Sequence, residues 1–253
     1  MMNEKHSALL IFDDKSLSAE LSEVLRHAGF MVRESDGRQT GTQLVEPDTD
    51  LVVLGSLLLG LDAHEVIRRL RSHTNAHIIH IMDQLDEFDA VLALEAGADQ
   101  FMVSPISLRE FRARVNAILR LRDRLMRHPE VSELEASELA QHGDLLLNAG
   151  TWEVSISGEI IPLTATEFSL LQVLMSPPGR VRSKQELARH ANGYDEHKDS
   201  YISEADQRSI EVHIANLRRK LGDSARDPKW IETVRGVGYR MVVEHRMPNS
   251  QQG

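Results

Sequence analysis

The hydrophobic rhythm of this chain changes once, between residues 122 and 142, and that change rules out a single repeating architecture. Upstream, short apolar runs at Ala8–Phe12, Leu51–Leu54, His77–Met82 and Phe101–Val103 alternate with amphipathic stretches near 17–27, 63–72, 86–96 and 107–121. Phe30–Arg33 reads as a further strand. Continuous apolar runs separated by helix-length stretches are the pattern of a parallel sheet covered on both faces. Gly29 and Gly97 each follow an amphipathic stretch, where helix ends favour glycine. Five strands and five helices at this spacing predict an α/β, flavodoxin-like doubly wound five-stranded parallel sheet over 1–122. Its site is expected at the C-terminal strand ends.

Residues 123–142 are charged, contain a proline and lack an apolar stripe, so they read as a linker. Beyond them the elements are short. Strands are expected at Asp144–Asn148, Thr151–Ser157 and Glu159–Leu163, the last two joined by a turn at Ser157–Gly158. Thr164 with Glu167 and Ser183 with Glu186 are capping boxes that start two helices. A third helix runs from about Asp206 to Leu221 and stops at Gly222. A hairpin, Trp230–Val234 with Tyr239–Val243, turns around Arg235 to Gly238. Sheet, three helices and a terminal hairpin compose an α+β winged helix-turn-helix over 143–245, followed by a tail at 246–253.

A length of 253 residues lets both domains bury a core, and 41% apolar with 27% charged residues is a globular composition. Absence of cysteine excludes disulfides and thiolate zinc sites. No apolar run reaches the ~20 residues of a membrane span and the start lacks a secretory pattern, so the expectation is a cytoplasmic protein with no membrane partner. Twelve histidines and the pair Asp13 and Asp14 form no catalytic constellation, so neither an enzyme nor a cofactor is expected. The net charge of -10 is unevenly placed: residues 1–120 carry -7, whereas 208–240 carry +4. An acidic body with a basic tip fits a nucleic-acid contact confined to that tip.

On a helical wheel Ile210, Ile214, Leu217 and Leu221 form one inward stripe. The opposite face carries Arg208, Val212, Ala215, Asn216 and Arg219, with His213, Arg218 and Lys220 on the flanks. An amide for adenine, an apolar group for a thymine methyl and cations for phosphates suit the major groove of double-stranded DNA. A solvated basic face would look the same. Arg235, held on a glycine-flanked turn, favours the DNA reading, because such an arginine can enter a narrow minor groove.

The blocks SIEVHIANLRRKLGD and WIETVRGVGYRM resemble the effector domain of the OmpR/PhoB family of two-component response regulators. The resemblance implies a four-stranded sheet ahead of the helices. It places Arg208, Ser209, Glu211, Val212, Asn216 and Arg219 toward the bases. It gives His213, Arg218 and Thr233 to phosphates, Arg235 to the minor groove and Tyr239 to support of the wing. In the family the loop before the third helix approaches RNA polymerase. Here that loop, Gly193–Gln207, is longer and acidic, so the polymerase contact, and activation as against repression, stay open.

The N-terminal half resembles the family's receiver, with LLIFDDK as its first strand and acidic pair and LALEAGAD as its fourth helix and turn. In a working receiver an aspartate nucleophile, a metal-holding acidic pair, a Thr/Ser and a Lys share one phosphoryl group. The resemblance puts Gly55 at the phosphoacceptor position, Met82 at the Thr/Ser position and Ser104 at the Lys position, and leaves at most a weak Mg²⁺ site at Asp13 and Asp14. A degenerate phosphorylation site is expected, and with it regulation without phosphorylation. The family dimerises through its fourth helix, fifth strand and fifth helix. Leu92, Glu95, Glu110, Phe111, Arg114 and Val115 map there, while the usual partner positions fall on Ala90, Asn116 and Gln100. A homodimer on direct repeats is therefore expected, and Phe101 is read as core. A small-molecule ligand entering near Gly55 and Met82, or a docked protein partner, stays open as an alternative means of control.

Overall fold

The computed structural model describes residues 6–36, 45–46, 48–58, 61–84, 86–126, 139–192, 202 and 204–243. The first domain is built on β1 (His6–Ile11), β2 (Phe30–Ser35), β3 (Leu51–Gly55), β6 (His77–Met82) and β7 (Gln100–Val103). These form one parallel sheet in the order β2-β1-β3-β6-β7. The order reverses at β1 and β3, so the crevice outside their C-terminal ends is the topological switch point. Around the sheet lie α1 (Lys15–His27), α2 (Ala63–Arg71), α3 (Glu87–Ala96) and α4 (Leu108–Met126). Five helices were expected and four are described; residues 37–44 and 47, between β2 and β3, lie outside the described residues, as do 127–138 of the linker and the tail. A small hairpin, β4 (Leu57–Leu58) and β5 (Leu61–Asp62), was not foreseen.

Aspartates start the helices. Asp14, Asp62 and Asp86 cap α1, α2 and α3 by accepting from backbone amides of the first turn. Each such cap stabilises its helix by about 1 kcal/mol. Gly97 closes α3 at φ 117°, a left-handed conformation that costs glycine little. The core sits in two layers, one on each face of the sheet. Leu10, Phe30, Val53, Ile81, Phe111 and Val115 represent one, and Leu9, Ile11, Leu54, Ile67 and Ala93 the other.

The second domain opens on a four-stranded antiparallel sheet: β8 (Leu139–His142), β9 (Leu145–Asn148), β10 (Glu153–Ile156) and β11 (Glu159–Ile160). β8 corrects the expected linker boundary at 142. Its residues alternate between exposed and half-buried, so it contributes little to the core and leaves no strong apolar signal. Ser157 and Gly158 turn β10 into β11 with φ of 52° and 87°, the two left-handed residues of a tight hairpin. The capping boxes at Thr164 and Ser183 start α5 (Ala165–Met175) and α6 (Lys184–Ala191). Then follow α7 (Glu204–Leu221) and the wing, β13 (Ile231–Val234) with β14 (Gly238–Met241), to which β12 (Arg182–Ser183) adds a third strand. Gly238 is required there, because a Cβ would stand 1.9 Å from the Arg182 carbonyl. Leu147, Phe168, Leu174, Ile214, Leu217 and Ile231 share one core drawn wholly from residues beyond 138. No buried apolar cluster among the described residues joins the two domains, so each carries its own.

Candidate nucleic-acid interface and the face that covers it

The inward stripe of α7 is as expected: Ile210, Ile214, Leu217 and Leu221 are buried in the second core. That packing turns Arg208, Glu211, Ala215 and Arg219 outward as exposed residues and leaves Ser209, Val212 and Asn216 half-buried. Beside α7 the wing presents Arg235, fully on the surface, at a turn where Gly236 has φ 74°. Between wing and helix lies an open groove of about 610 Å³, lined among others by Lys184, Glu211, Thr233, Arg235 and Tyr239. Lys184 forms an ion pair with Glu211, which anchors one wall of that groove to α7.

Two residues assigned to phosphates are buried. Arg218 donates through Nη2 to the Ile231 carbonyl at 2.7 Å and to Thr233 Oγ1 at 2.9 Å, and its guanidinium lies over the Tyr239 ring. It fastens the wing to α7, with Tyr239 as the expected support. His213 is buried too, and its Nε2 donates to the Asp99 carbonyl, in the first domain, at 3.0 Å.

That bond belongs to a set. Asn216 Nδ2 donates to the Leu94 carbonyl at 3.3 Å, near the end of α3. Arg208 pairs with Glu87 at the start of α3. Gln100 Nε2 donates to Asn192 Oδ1 at 3.0 Å, and Arg114 approaches Asp206 at 3.6 Å. The helix expected to read DNA therefore lies on α3, the turn at Asp99 before β7, and α4 of the first domain, with the end of α6 bonded to β7 beside it, and three of its expected DNA contacts (Arg208, His213, Asn216) are used there. Glu87 and Arg208 are both at least half exposed, so that pair contributes only ~0–1 kcal/mol. The buried bonds contribute about 1 kcal/mol each. The contact is polar and modest, which makes it separable.

Electrostatics centre on Asp99. Burial alone would raise its pKa, but the Arg71 guanidinium at 2.6 Å, His77 and the Ile78 amide together hold its carboxyl well below the usual carboxylate range. Arg71 also donates to the carbonyls of Gly97 and Ala76, so the turn carrying Asp99 is fixed before α7 reaches it. His213 is pushed below the ordinary histidine value by burial, which the Asp99 charge only partly offsets. It docks as a neutral ring.

The expected dimer face needs correction. Phe111 and Val115 are fully buried in the first core and offer nothing to a partner. Leu92 is half-buried and Glu95 exposed. Arg114 is buried between Glu110, at 2.9 Å, and Asp206. Phe101, expected in the core, is partly exposed. Gln100 serves the domain contact through Asn192, and most of the Gly193–Gln207 loop lies outside the described residues.

At the C-terminal strand ends, Gly55 closes β3, Met82 closes β6 and Ser104 follows β7. A Cβ on Gly55 would meet the Phe12 ring at 2.9 Å, so an aromatic side chain occupies the space a larger residue would need. Met82 is buried and Ser104 half-buried. Asp13 and Asp14 are exposed, and Asp14 accepts from the Ser16 and Leu17 amides as the α1 cap. Ser56 donates to the Ile81 carbonyl. The side chains of Leu57 and Leu58, and Leu59 altogether, lie outside the described residues.

Sequence reasoning did not find the receiving half of the docking contact. Glu87 and Gln100 carry no docking signal, and Leu94 and Asp99, inside the block LALEAGAD, are legible only as fold, because a polar surface patch gains meaning only when its distant partner is known.

Comparison with known proteins gives concordant results. Residues 8–116 match the response regulator receiver domain, and 158–241 match the C-terminal domain of transcriptional regulatory proteins. The chain is 35% identical over 236 residues to the transcriptional regulatory protein AfsQ1 of Streptomyces coelicolor, covering 93% of this chain and 97% of that one. It is 33% identical to CpxR of Escherichia coli over 92% of this chain and 97% of the relative. Among solved structures, a RitR mutant superposes with a TM-score of 0.67 at 25% identity, over 94% of this chain and 99% of that one.

Proposed function

Because the chain belongs to the OmpR/PhoB-type response regulators, a receiver joined to a DNA-binding winged helix, we propose that it is a sequence-specific regulator of transcription held inactive by its own receiver and controlled without phosphorylation. The observation that carries this reading is the seating of α7 on α3, with the Asn216 amide spent on the Leu94 carbonyl. An amide so engaged cannot pair bidentately with adenine, and a helix so covered cannot enter a major groove. The receiver's acidity adds to the effect, since Glu87 takes the arginine that a phosphate or base would take.

Control then lies in the docking equilibrium. The family's dimer face is the face that α7 covers, so docking and dimerisation compete for α3, β7 and α4. In the active state two copies release α7, pair through that face and bind direct repeats.

Independence from phosphorylation rests on chemistry. Glycine offers no nucleophile, the Met82 thioether cannot donate to a phosphoryl oxygen, and Ser104 supplies no cation. Acetyl phosphate should leave the protein unmodified, and Gly55→Asp alone should not restore labelling, because the Phe12 ring and Met82 remain. An acyl phosphate on either protein would overturn this part of the reading.

The docking itself is open to direct test, since the chain has no cysteine to remove before labelling. Spin labels at Glu95 and Arg226, both exposed, should give one distance population in the free protein and lose it when target DNA is added. A distribution unchanged by DNA would refute the release of α7.

A further inference from the structure

The geometry points to a transition-metal site in the receiver, built from His64, His80 and Asp89, that takes Zn²⁺ or a similar imidazole-preferring divalent ion. The three residues come from three elements: the first turn of α2, the middle of β6 and the first turn of α3. Each brings one ligand atom within 4.8 Å of the other two.

Several features make this more than a chance cluster. His64 Nδ1 lies 3.1 Å from Asp62 Oδ1, and its Nε2 lies 3.3 Å from Asp89 Oδ1. A carboxylate on one ring nitrogen fixes the tautomer, raises the basicity of the other and orients it; this is how metal-binding histidines are commonly held. Ligand atoms about 2.0–2.1 Å from a tetrahedral ion stand ~3.3 Å apart, so the His64–Asp89 separation already matches one edge of such a site. His80 then has to approach by no more than about 1.5 Å.

His80 supplies the second, independent observation. It is only 1% exposed, and its Nδ1 is buried without a hydrogen-bond partner among the described residues. Hydrogen bonding explains the placement of His64; it does not explain a buried imidazole nitrogen left without a partner beside two other ligand groups. Two imidazoles with one carboxylate select zinc, nickel, cobalt or copper over magnesium and calcium, which favour all-oxygen shells. Three protein ligands leave a fourth position for water.

No sequence motif marks this site, because the ligands stand 16 and 9 residues apart and match no spacing pattern. Its location matters for control. Asp89 lies two residues beyond Glu87, which pairs with Arg208, so an ion here would fix the turn of α3 that receives the DNA-reading helix.

Zn²⁺ titration of the chelator-stripped full chain, followed by calorimetry and by the visible bands of Co²⁺ in its place, tests the site. The expected result is one ion per chain with a Co²⁺ spectrum of low coordination number. His64→Gln and Asp89→Asn should each weaken binding by at least ~10-fold, as should Asp62→Asn through the orientation of His64. Both His64 and Asp89 are partly exposed, so these variants keep the test valid even if His80→Ala fails to fold. His27→Gln, at the end of α1 and outside the cluster, should bind like the wild type. No stoichiometric binding, or binding unaffected by His64→Gln and Asp89→Asn, would overturn the assignment. The titration reads the metal site alone, so its failure leaves the docking of α7 untouched.

Discussion

The wing and the DNA-reading helix belong to one half of the chain, yet they stand in opposite conditions. Arg235 is exposed on its turn and the groove beside it is open, whereas His213 is buried and Asn216 bonded against the receiver. On the proposed reading the wing is free to meet DNA and the helix is not. An inhibitory surface therefore need not cover the whole DNA-binding domain. It is enough to engage the side chains that discriminate between bases, leaving phosphate and minor-groove contacts free to hold the protein loosely on any sequence.

The largest expected effect comes from the residue that plays both parts. Asn216→Ala should cost ~1–3 kcal/mol on the best site in the second domain alone, relaxing preference at about one base pair. In the full chain the loss should be smaller, because the substitution also removes the bond to Leu94. Equal losses in the two proteins would separate base reading from docking and break the comparison.

Arg235→Ala sharpens it from the other side. Loss of a charge-assisted contact of roughly 1.5 kcal/mol should be the same in both proteins and greatest on A·T-rich flanks. A loss confined to the full chain would mean that the wing, too, is engaged by the receiver.

Acidification should act on the helix alone. The docked His213 has a depressed pKa, so the docked state binds fewer protons than the released state, whose histidine titrates near the ordinary value of ~6.5. Docking is thus fully favoured above about pH 7 and weakens as pH falls below that value. Asp99, Arg71 and Glu167 face the ring, and Asp99 is held well below the usual carboxylate range. The affinity advantage of the isolated second domain over the full chain should shrink between pH 7.5 and 6.0; a constant or growing advantage would contradict the role of His213.

The smallest effect belongs to the surface pair. Glu87→Gln should tighten DNA binding by the full chain no more than about fivefold, corresponding to 0–1 kcal/mol, and leave the isolated domain unchanged. An equal change in both would point to altered folding rather than altered docking.

How much of this was legible in the sequence depended on whether a residue's meaning is local. Buried strands announced themselves as apolar runs, the two capping boxes as fixed spacings, and the inner face of α7 as the stripe from Ile210 to Leu221. Ser157–Gly158 marked its turn because few residue pairs tolerate left-handed φ twice in succession. β8 was missed because its burial is partial and its residues mixed. Phe111 and Val115 were misplaced because a family surface was carried over without the helix rotation that decides which side faces inward. The docking contact was invisible for a more basic reason: Leu94 and Asn216 are 122 residues apart, and nothing in either segment declares a need for the other.

DNA affinity on a single half-site at one fixed salt, measured for the full chain and for residues 139–253, tests the inhibition most directly. A half-site removes any gain from dimerisation, and the second domain holds its complete core within those residues. If the receiver masks α7, the isolated domain should bind about 5–150-fold tighter, the usual range of coupling between sites. Equal affinity, or tighter binding by the full chain, would contradict inhibition and make the receiver an aid to DNA binding.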